Sequence, residues 1–210
     1  MWALVKARQV IEIIGSPKNI TVNNVAHPKG IFKSWTKANL KKIGIYEFIS
    51  GSNPDNRFET GGDISYTVND TKGTVTETIK KKDRALEDVK VVDAKGKAIL
   101  DEDGNQLIAK GLKSVYIESI KRQANSSLAR SDWLVIRFME DNTKKIPDDV
   151  KTYRKKVRDT SDSIITKIEA IKKLSDLKKL FDHTYNSDGT IKTLSTMDSM
   201  PKSTIEEYER

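Results

Sequence analysis

The chain has 210 residues, of which 36% are hydrophobic and 32% are charged, so it is long enough to bury a modest core as one domain or two small ones. It contains no cysteine, which excludes disulfides, thiolate zinc sites and cysteine nucleophiles. Its 38 Lys and Arg against 30 Asp and Glu give a net charge of +8. Because basic and acidic residues are mixed along the chain, this excess favours a lysine-rich surface over a nucleic-acid site.

Residues 1–5 are apolar only briefly, and neither a signal region nor a spanning apolar run follows them. We therefore expect a chain that is soluble and cytosolic where it is made. No Gly-rich phosphate loop and no His pair with metal-ligand spacing occurs in the sequence. The sequence thus predicts no cofactor and no metal.

Residues 1–110 are predicted to form a β-rich module, because short apolar runs alternate with turn residues. A strand pair is expected at residues 2–5 and 10–14, and a further strand at residues 20–25. One helix is expected at residues 33–43, since Trp35, Leu40 and Ile43 are spaced to share one side.

Two more hairpins are predicted in this module. Residues 64–68 and 74–79 alternate between apolar and polar side chains, and the Asn, Asp and Gly between them accept turn geometry. The other hairpin joins residues 97–100 to 106–109. Its turn, residues 101–105, superficially resembles a calcium loop, but it lacks the bidentate Glu and the flanking helices of such a loop, so a turn is preferred.

Residues 111–183 have the spacing of amphipathic helices. A first helix is predicted from Leu112 to about Leu128, and a short second helix follows Ser131, whose side chain is expected to be the N-cap. A long third helix is predicted from Pro147 to about Lys172. Proline fits the first helical position, and the two Asp residues after it meet the positive end of the helix dipole.

Apolar residues continue beyond this helix into a last short helix that Ser175 is expected to cap. A helical hairpin is short for burying all of them, so the stripe is a candidate partner-binding surface; that the β-rich module covers it is left open as the alternative. The stripe consists of Ile164, Ile168, Ile171, Leu174, Leu177, Leu180 and Phe181. The predicted fold class is α+β: the β-rich module, a helical hairpin module at 111–183, and a polar segment at 184–210 that is an extended arm or a tail that orders on contact.

No constellation of catalytic residues is evident. His27 and His183 are the only imidazoles and lie far apart in the sequence, and a His next to a proline is typical of a turn. The acidic pairs at 148–149 and 206–207 point in different directions on a helix, whereas acid–base chemistry needs convergent carboxylates. The sequence therefore predicts a protein that is not an enzyme.

Two basic clusters occupy residues 80–84 and 154–158. The second alternates with apolar helix positions and lies near Asp159 and Asp162, as expected of a solvated helix face. Nucleic-acid binding calls for such clusters among exposed aromatic side chains or on a recognition helix. Trp133 and Tyr153 are instead predicted to be core anchors, because they share helical spacing with other apolar residues.

Residues 115–181 carry several motifs in a fixed order. A helix with Lys and Arg leads to Ser-Asp-Trp at 131–133, followed by Ile-Arg, an acidic residue, Ile-Pro, and a helix with Tyr-Arg and Val-Arg. This order resembles the phage tail assembly chaperone family and the related C-terminal helical modules of tail-fibre-associated proteins, especially those of marine phages. The motif positions are Asp132, Trp133, Arg137, Pro147, Tyr153, Arg154 and Arg158.

The N-terminal part of such proteins is also similar to residues 1–5, 27–28, 31–32, 35, 40 and 43–46 of this chain. Two features depart from the pattern. The Ser-Asp-Trp step follows Ala129-Arg130 rather than a small residue and proline, and the segment from Tyr185 onward lies outside the pattern.

The resemblance implies a non-enzymatic protein of a phage tail that acts through protein–protein contacts. The expected partners are other tail proteins (tail fibre, tail tube or adaptor) or further copies of the chain, with no membrane and with nucleic acid disfavoured. The expected location is the virion tail, and the host cytoplasm during assembly. The alternatives are a tail-fibre assembly chaperone that is not retained in the virion, a basic nucleic-acid-binding phage protein and, ranked last, a tail-borne glycan hydrolase.

Overall fold

The computed structural model describes residues 1–208 of the chain. The fold class is α+β, as predicted, with strands concentrated in the first part of the chain and helices in the second. The chain divides into two compact units, which we call unit 1 (Met1–Asp83) and unit 2 (Arg84–Arg210).

Unit 1 is built on a five-stranded sheet of order β2-β1-β5-β7-β6, in which β5 and β7 pair in parallel and all other neighbours pair antiparallel. Its elements in chain order are β1 (Trp2–Lys6), β2 (Gln9–Ile14), β3 (Ile20–Val22), β4 (Val25–His27), α1 (Ile31–Ser34), α2 (Lys37–Lys42), β5 (Ile45–Ile49), β6 (Glu59–Asn69) and β7 (Thr74–Asp83).

The sheet of unit 1 buries apolar side chains on both faces. One face packs against side chains from β3, α1 and α2, in a cluster that includes Ile14, Leu40 and Ile45. The other face buries Ala3 and Val75 completely, because the sheet curls until its edge strands β2 and β6 approach each other.

The hairpins predicted at residues 2–14 and 64–79 are confirmed, but two other predictions for unit 1 are wrong. The strand expected at 20–25 is a hairpin, because Asn23 and Asn24 adopt positive φ of 49° and 64° and reverse the chain. The helix expected at 33–43 is two helices, since Thr36 caps the second by accepting from the Asn39 amide. Trp35 lies at this break and is 36% exposed. Strand β5 was not predicted.

The turn between β1 and β2 holds two residues in a conformation that L side chains disfavour. Ala7 and Arg8 have φ of 49° and 60°. Such a turn matches the right-handed twist of paired strands and favours Asn and Gly, because an L side chain costs roughly 1–2 kcal/mol there. We expect Ala7→Gly to raise the free energy of unfolding by about 0.5–1 kcal/mol in urea denaturation.

Ala26→Gly in β4 is the matched control, because Ala26 does not have positive φ. In a strand, glycine loses more conformational entropy on folding than alanine does. The control should therefore lower the free energy of unfolding, and the same sign for both variants would contradict the argument.

Arg8 is held by Asp70, which also binds Tyr46. Arg8 Nε donates to Asp70 Oδ2 at 2.6 Å, and the Tyr46 hydroxyl donates to Oδ1 at 2.9 Å. The hydrogen bond from Arg8, and after it the one from Tyr46, lowers the pKa of Asp70 below its ordinary 3.8. A carboxylate whose folded pKa is lowered stabilises the fold above its unfolded pKa, and this contribution is lost as the pH falls through the folded pKa.

We therefore expect Asp70→Asn to reduce the loss of stability of unit 1 on acidification. The measurement is the urea midpoint at about pH 7 and about pH 3, on either side of the ordinary carboxyl pKa. The control is Asp63→Asn, which removes an exposed carboxylate on β6; the difference between its two urea midpoints should equal that of the wild type. An Asp70→Asn variant with the wild-type pH dependence would contradict the role of this carboxylate.

Unit 2 combines a small β layer with a helical core. Its elements are β8 (Val89–Lys90), β9 (Ile108–Ala109), α3 (Leu112–Ala129), α4 (Asp132–Glu140), α5 (Asp148–Glu169), α6 (Leu174–Lys179), β10 (Thr184–Tyr185) and β11 (Ile191–Thr193), followed by a 3-10 turn at Glu206–Tyr208. The predicted helices thus lie within a few residues of their predicted bounds. Ser175, however, lies inside α6, and Lys173 holds the N-cap position, so the predicted cap is wrong.

Residues 84–110 belong to unit 2, whereas the sequence placed the boundary at residue 110. The first amides of α3 explain this, because Leu112 N and Lys113 N donate to the carbonyls of Ala85 and Leu86 at 2.9 and 3.1 Å. The Asp88 carboxylate accepts from Gly111 N at 2.7 Å. A Cβ at Gly111 would lie 2.3 Å from the Glu87 carbonyl carbon, so this close backbone approach requires glycine.

Candidate functional site in the helical unit

Pro147 and the acidic residues after it begin α5. Pro147 is the N-cap, one position before the predicted one, and Asp148 and Asp149 form the first turn. Negative charge there meets the positive end of the helix dipole. A hydrogen bond of 2.8 Å from Lys151 lowers the pKa of Asp148, so this carboxylate stays charged to more acidic pH.

Arg154 joins α5 to the connection between α3 and α4. Its Nη1 donates to the Leu128 carbonyl at 2.7 Å and to Ser131 Oγ at 2.9 Å, and its Nη2 donates to Asp132 Oδ1 at 2.8 Å. Only 13% of the side chain is exposed, so the charge is largely shielded from water. The planar guanidinium therefore fixes three acceptors at once.

Ser131 holds the N-cap position of α4, as predicted, but its side chain does not cap the helix. Its hydroxyl makes no cap bond to α4 but donates back to the Leu128 carbonyl at 3.2 Å. Since Ser131 Oγ also accepts from Arg154, the hydroxyl is oriented away from the start of α4. Ser131 is completely buried and thus belongs to the Arg154 network.

Trp133 packs partly buried against the helical core, as predicted. Its indole Nε1 donates to the Tyr208 carbonyl at 2.8 Å, and the Arg137 guanidinium lies 4.9 Å from the ring centre. Cation–π contact of this kind keeps the charge of Arg137 over the ring face. The motif pair Trp133 and Arg137 is therefore one interacting element on α4.

The stripe predicted to bind a partner is largely enclosed. Ile164, Ile168, Ile171 and Leu177 are at most 7% exposed; Leu174, Leu180 and Phe181 are partly buried. Tyr153 is 5% exposed and lies in the same core cluster as Ile164 and Ile168. The other members come from α3, α4, α5 and residues 197–205 of the same unit. The stripe therefore supports the fold of unit 2 and is not a free surface.

The basic cluster at 154–158 does not form one continuous positive face. Arg154 is turned inward, Val157 is fully buried, and Lys155 pairs with Asp159 at 2.5 Å. Arg158 is exposed. The residues of this motif therefore have different roles, and only part of their charge faces solvent.

Residues 195–208, which we call the strap, pack onto the helices rather than extending from them. Met197 and Met200 are 8% exposed, and Ile205 is completely buried in the cluster with Tyr153 and Val157. The predicted polar arm therefore differs from the observed segment. Its apolar residues are few and irregularly spaced, so neither a helical nor a strand pattern marked them.

A Ser, a His and an Asp meet where the strap begins. Ser195 N donates to His183 Nδ1 at 3.0 Å, Ser195 Oγ donates to Asp198 Oδ2 at 2.5 Å, and His183 Nε2 lies 3.4 Å from the same oxygen. A nucleophilic serine needs its hydroxyl to donate to the imidazole. Here the hydroxyl donates to the carboxylate and Ser195 is 1% exposed. The cluster of His183, Ser195 and Asp198 therefore fixes the start of the strap, and we call it the clamp.

Of two further sequence features, residues 101–105 form a turn and His27 lies in a strand. In residues 101–105, Asp101 Oδ1 accepts from the amides of Asp103 and Asn105 at 3.1 and 2.8 Å, as in the predicted hairpin turn. His27 ends β4 and packs edge-on against Trp35, with ring centres 5.5 Å apart.

Among residues 1–208, no helix has both the length and the apolar character needed to cross a bilayer.

The residues brought together in unit 2 are thus structural: the Arg154 network, the Trp133–Arg137 pair and the buried core around Tyr153. The strap and its clamp were missed in the sequence, because His183, Ser195 and Asp198 match no motif spacing. Comparisons of the chain with protein-family models, curated proteins and solved structures gave no match.

Proposed function

We propose that the chain is a non-enzymatic structural protein of a bacteriophage tail, which acts by protein–protein contacts in the virion. The observation that carries the proposal is the resemblance over residues 115–181, in which four of the seven motif residues contact one another in pairs. Asp132 and Arg154, 22 positions apart, form one ion pair, and Trp133 and Arg137 form a second contact on the same helix. Motif residues that interact with one another support a common module rather than chance similarity.

The exposed face of α4 is the contact surface that we assign to a tail partner. Ile136 is 55% exposed and Met139 is 80% exposed, three residues apart on one side of the helix. Exposed methionine is common on surfaces that bind partners, because its side chain is flexible and polarizable. This surface replaces the buried stripe as the candidate for partner binding.

Mass spectrometry of purified particles of a phage that encodes the chain tests the proposal. A structural protein is expected at a fixed copy number per particle. An assembly chaperone would be absent from particles but would co-purify with a tail protein from infected cells. Association with no phage protein in either setting would exclude both forms.

A phage carrying the double substitution Ile136→Glu and Met139→Glu tests the assigned surface. Both side chains are exposed, so the helix should fold while the apolar contact is lost. We expect incorporation into particles to fall at least about tenfold, the effect of losing roughly 1.4 kcal/mol of binding. Glu140→Ala, an exposed change on the same helix, is the control. Equal incorporation of both variants would remove this face from the interface.

A further inference from the structure

Residues 89–109 of unit 2 form a three-armed β layer with local threefold symmetry. Val91 N donates to the Leu107 carbonyl at 2.9 Å, Leu107 N to the Ile99 carbonyl at 2.8 Å, and Ile99 N to the Val91 carbonyl at 3.1 Å. The three residues follow one another at intervals of eight and close a ring of hydrogen bonds. The sequence pattern predicted only one of the three strand pairs.

One face of this layer carries a triangle of apolar side chains. Directly paired residues of antiparallel strands share a face, and so do residues two apart on one strand. Applied around the ring, this rule places Val92, Leu100 and Ile108 on the same face. The pairs that connect them are Lys90–Ile108, Val92–Ala98 and Leu100–Gln106.

The triangle is not covered by the described part of the chain. Val92, Leu100 and Ile108 are 51%, 56% and 52% exposed. A sheet normally buries its apolar face against another layer, since a β layer with both faces in water has little to stabilise it. Three large apolar side chains on a hydrogen-bonded frame are therefore an interaction surface.

The two turns of the layer carry opposite charge. The basic turn, residues 93–97, contains one Asp and two Lys, a net charge of +1; the acidic turn, residues 101–105, contains two Asp and one Glu, a net charge of −3. Each turn is held in place, because Asp93 Oδ1 and Asp101 Oδ1 each accept two amides of their own turn. Gly96 and Gly104 supply the positive φ, 79° and 81°, that these turns require.

We propose that this face pairs with the same face of a second copy of the chain about a twofold axis. The third arm of the layer is formed by β8 and β9. When the twofold axis runs parallel to the face and along this arm, the basic turn of each copy lies over the acidic turn of the other. The two apolar triangles then cover each other. A partner with true threefold symmetry is disfavoured, because the charges of the arms break the symmetry that the backbone has.

The proposal goes beyond the tail assignment and does not depend on it, because the pairing is a property of the chain alone. Sedimentation velocity of the purified full-length protein over a concentration series is the first test. The wild type is expected to show a monomer–dimer equilibrium, and Leu100→Glu is expected to raise the dissociation constant at least about tenfold. Ile191→Glu is the matched control, since Ile191 is 50% exposed on the short hairpin strand β11; it should leave the equilibrium unchanged.

A charge exchange between the turns provides the sharper test. One variant carries Lys95→Glu and Lys97→Glu, which makes its basic turn −3; the other carries Glu102→Lys and Asp103→Lys, which makes its acidic turn +1. Each variant alone then opposes like charges across the twofold axis, so its self-association should weaken about tenfold or more. A mixture of the two variants restores both attractive contacts, and a heterodimer of wild-type affinity is expected.

These substitutions leave Asp93 and Asp101 in place, so the turns keep their internal hydrogen bonds. Three results would overturn the proposal: a wild type that stays monomeric up to roughly millimolar concentration, beyond weak specific binding; association that Leu100→Glu does not weaken; or a mixture of charge variants that does not associate. A monomeric protein that is nevertheless present in purified particles would overturn the pairing and leave the tail assignment intact.

Discussion

Replacing Arg154 by alanine should lower the free energy of unfolding of unit 2 by about 3 kcal/mol, because one side chain with three hydrogen bonds is lost. The bonds go to the Leu128 carbonyl, Ser131 and Asp132. Ser131 is completely buried, so water does not replace the guanidinium there. An acceptor left without a donor in such a place costs more than the bond itself contributed.

Urea denaturation followed by circular dichroism at 222 nm measures this loss. Arg158→Ala is the matched control, one helical turn later on α5, and its exposed side chain should change the free energy by no more than about 0.5 kcal/mol. Arg154→Lys should lie between the two, because an ammonium group cannot present a planar fork to three acceptors. If Arg154→Ala is no less stable than Arg158→Ala, the network does not hold α5 to the α3–α4 connection.

Replacing Ile205 by alanine should lower the free energy of unfolding by about 3 kcal/mol, the usual range for a large side chain truncated in a packed core. Ile205 is completely buried beside Tyr153 and Val157. The substitution should also change the near-ultraviolet signal of Trp133, whose indole donates to the Tyr208 carbonyl in the same strap. If the strap only lay on the surface, Ile205→Ala would change neither the free energy of unfolding nor the near-ultraviolet signal.

Leu194→Ala is the control for the strap, because Leu194 lies just before it and is 49% exposed. This substitution should lower the free energy of unfolding by no more than about 0.5 kcal/mol. The comparison separates the two descriptions of the segment. A free polar arm predicts equal, small effects at both positions, whereas a packed strap predicts a large effect at Ile205 alone.

The helices of unit 2 could be predicted because their information is local. Apolar residues recur at helical intervals in α3 and α5, and the Pro-Asp-Asp step marks the start of α5. The caps were harder to predict. The Ser131 hydroxyl donates to the Leu128 carbonyl and accepts from Arg154 instead of capping α4. Arg154 is 23 residues away in the sequence, so no local pattern indicates this contact.

Non-local pairing explains the other differences. Strand β5 pairs with β1, more than 40 residues earlier, and in parallel with β7, so its formation depends on partners that its own residues do not specify. The same holds for the stripe at 164–181. Its apolar spacing correctly indicated a helix with a buried face, but Met197, Met200 and Ile205, which share that core, belong to a segment of polar composition.

The position of the strap in the sequence has a consequence for synthesis. Translation adds about 5–20 residues per second, so Ile205 follows the end of α5 at Glu169 roughly two to seven seconds later. During that interval the nascent helices lack the side chains that complete their core. Their apolar faces are then open to chaperones or to neighbouring nascent chains, and a product cut short before the strap would keep them open.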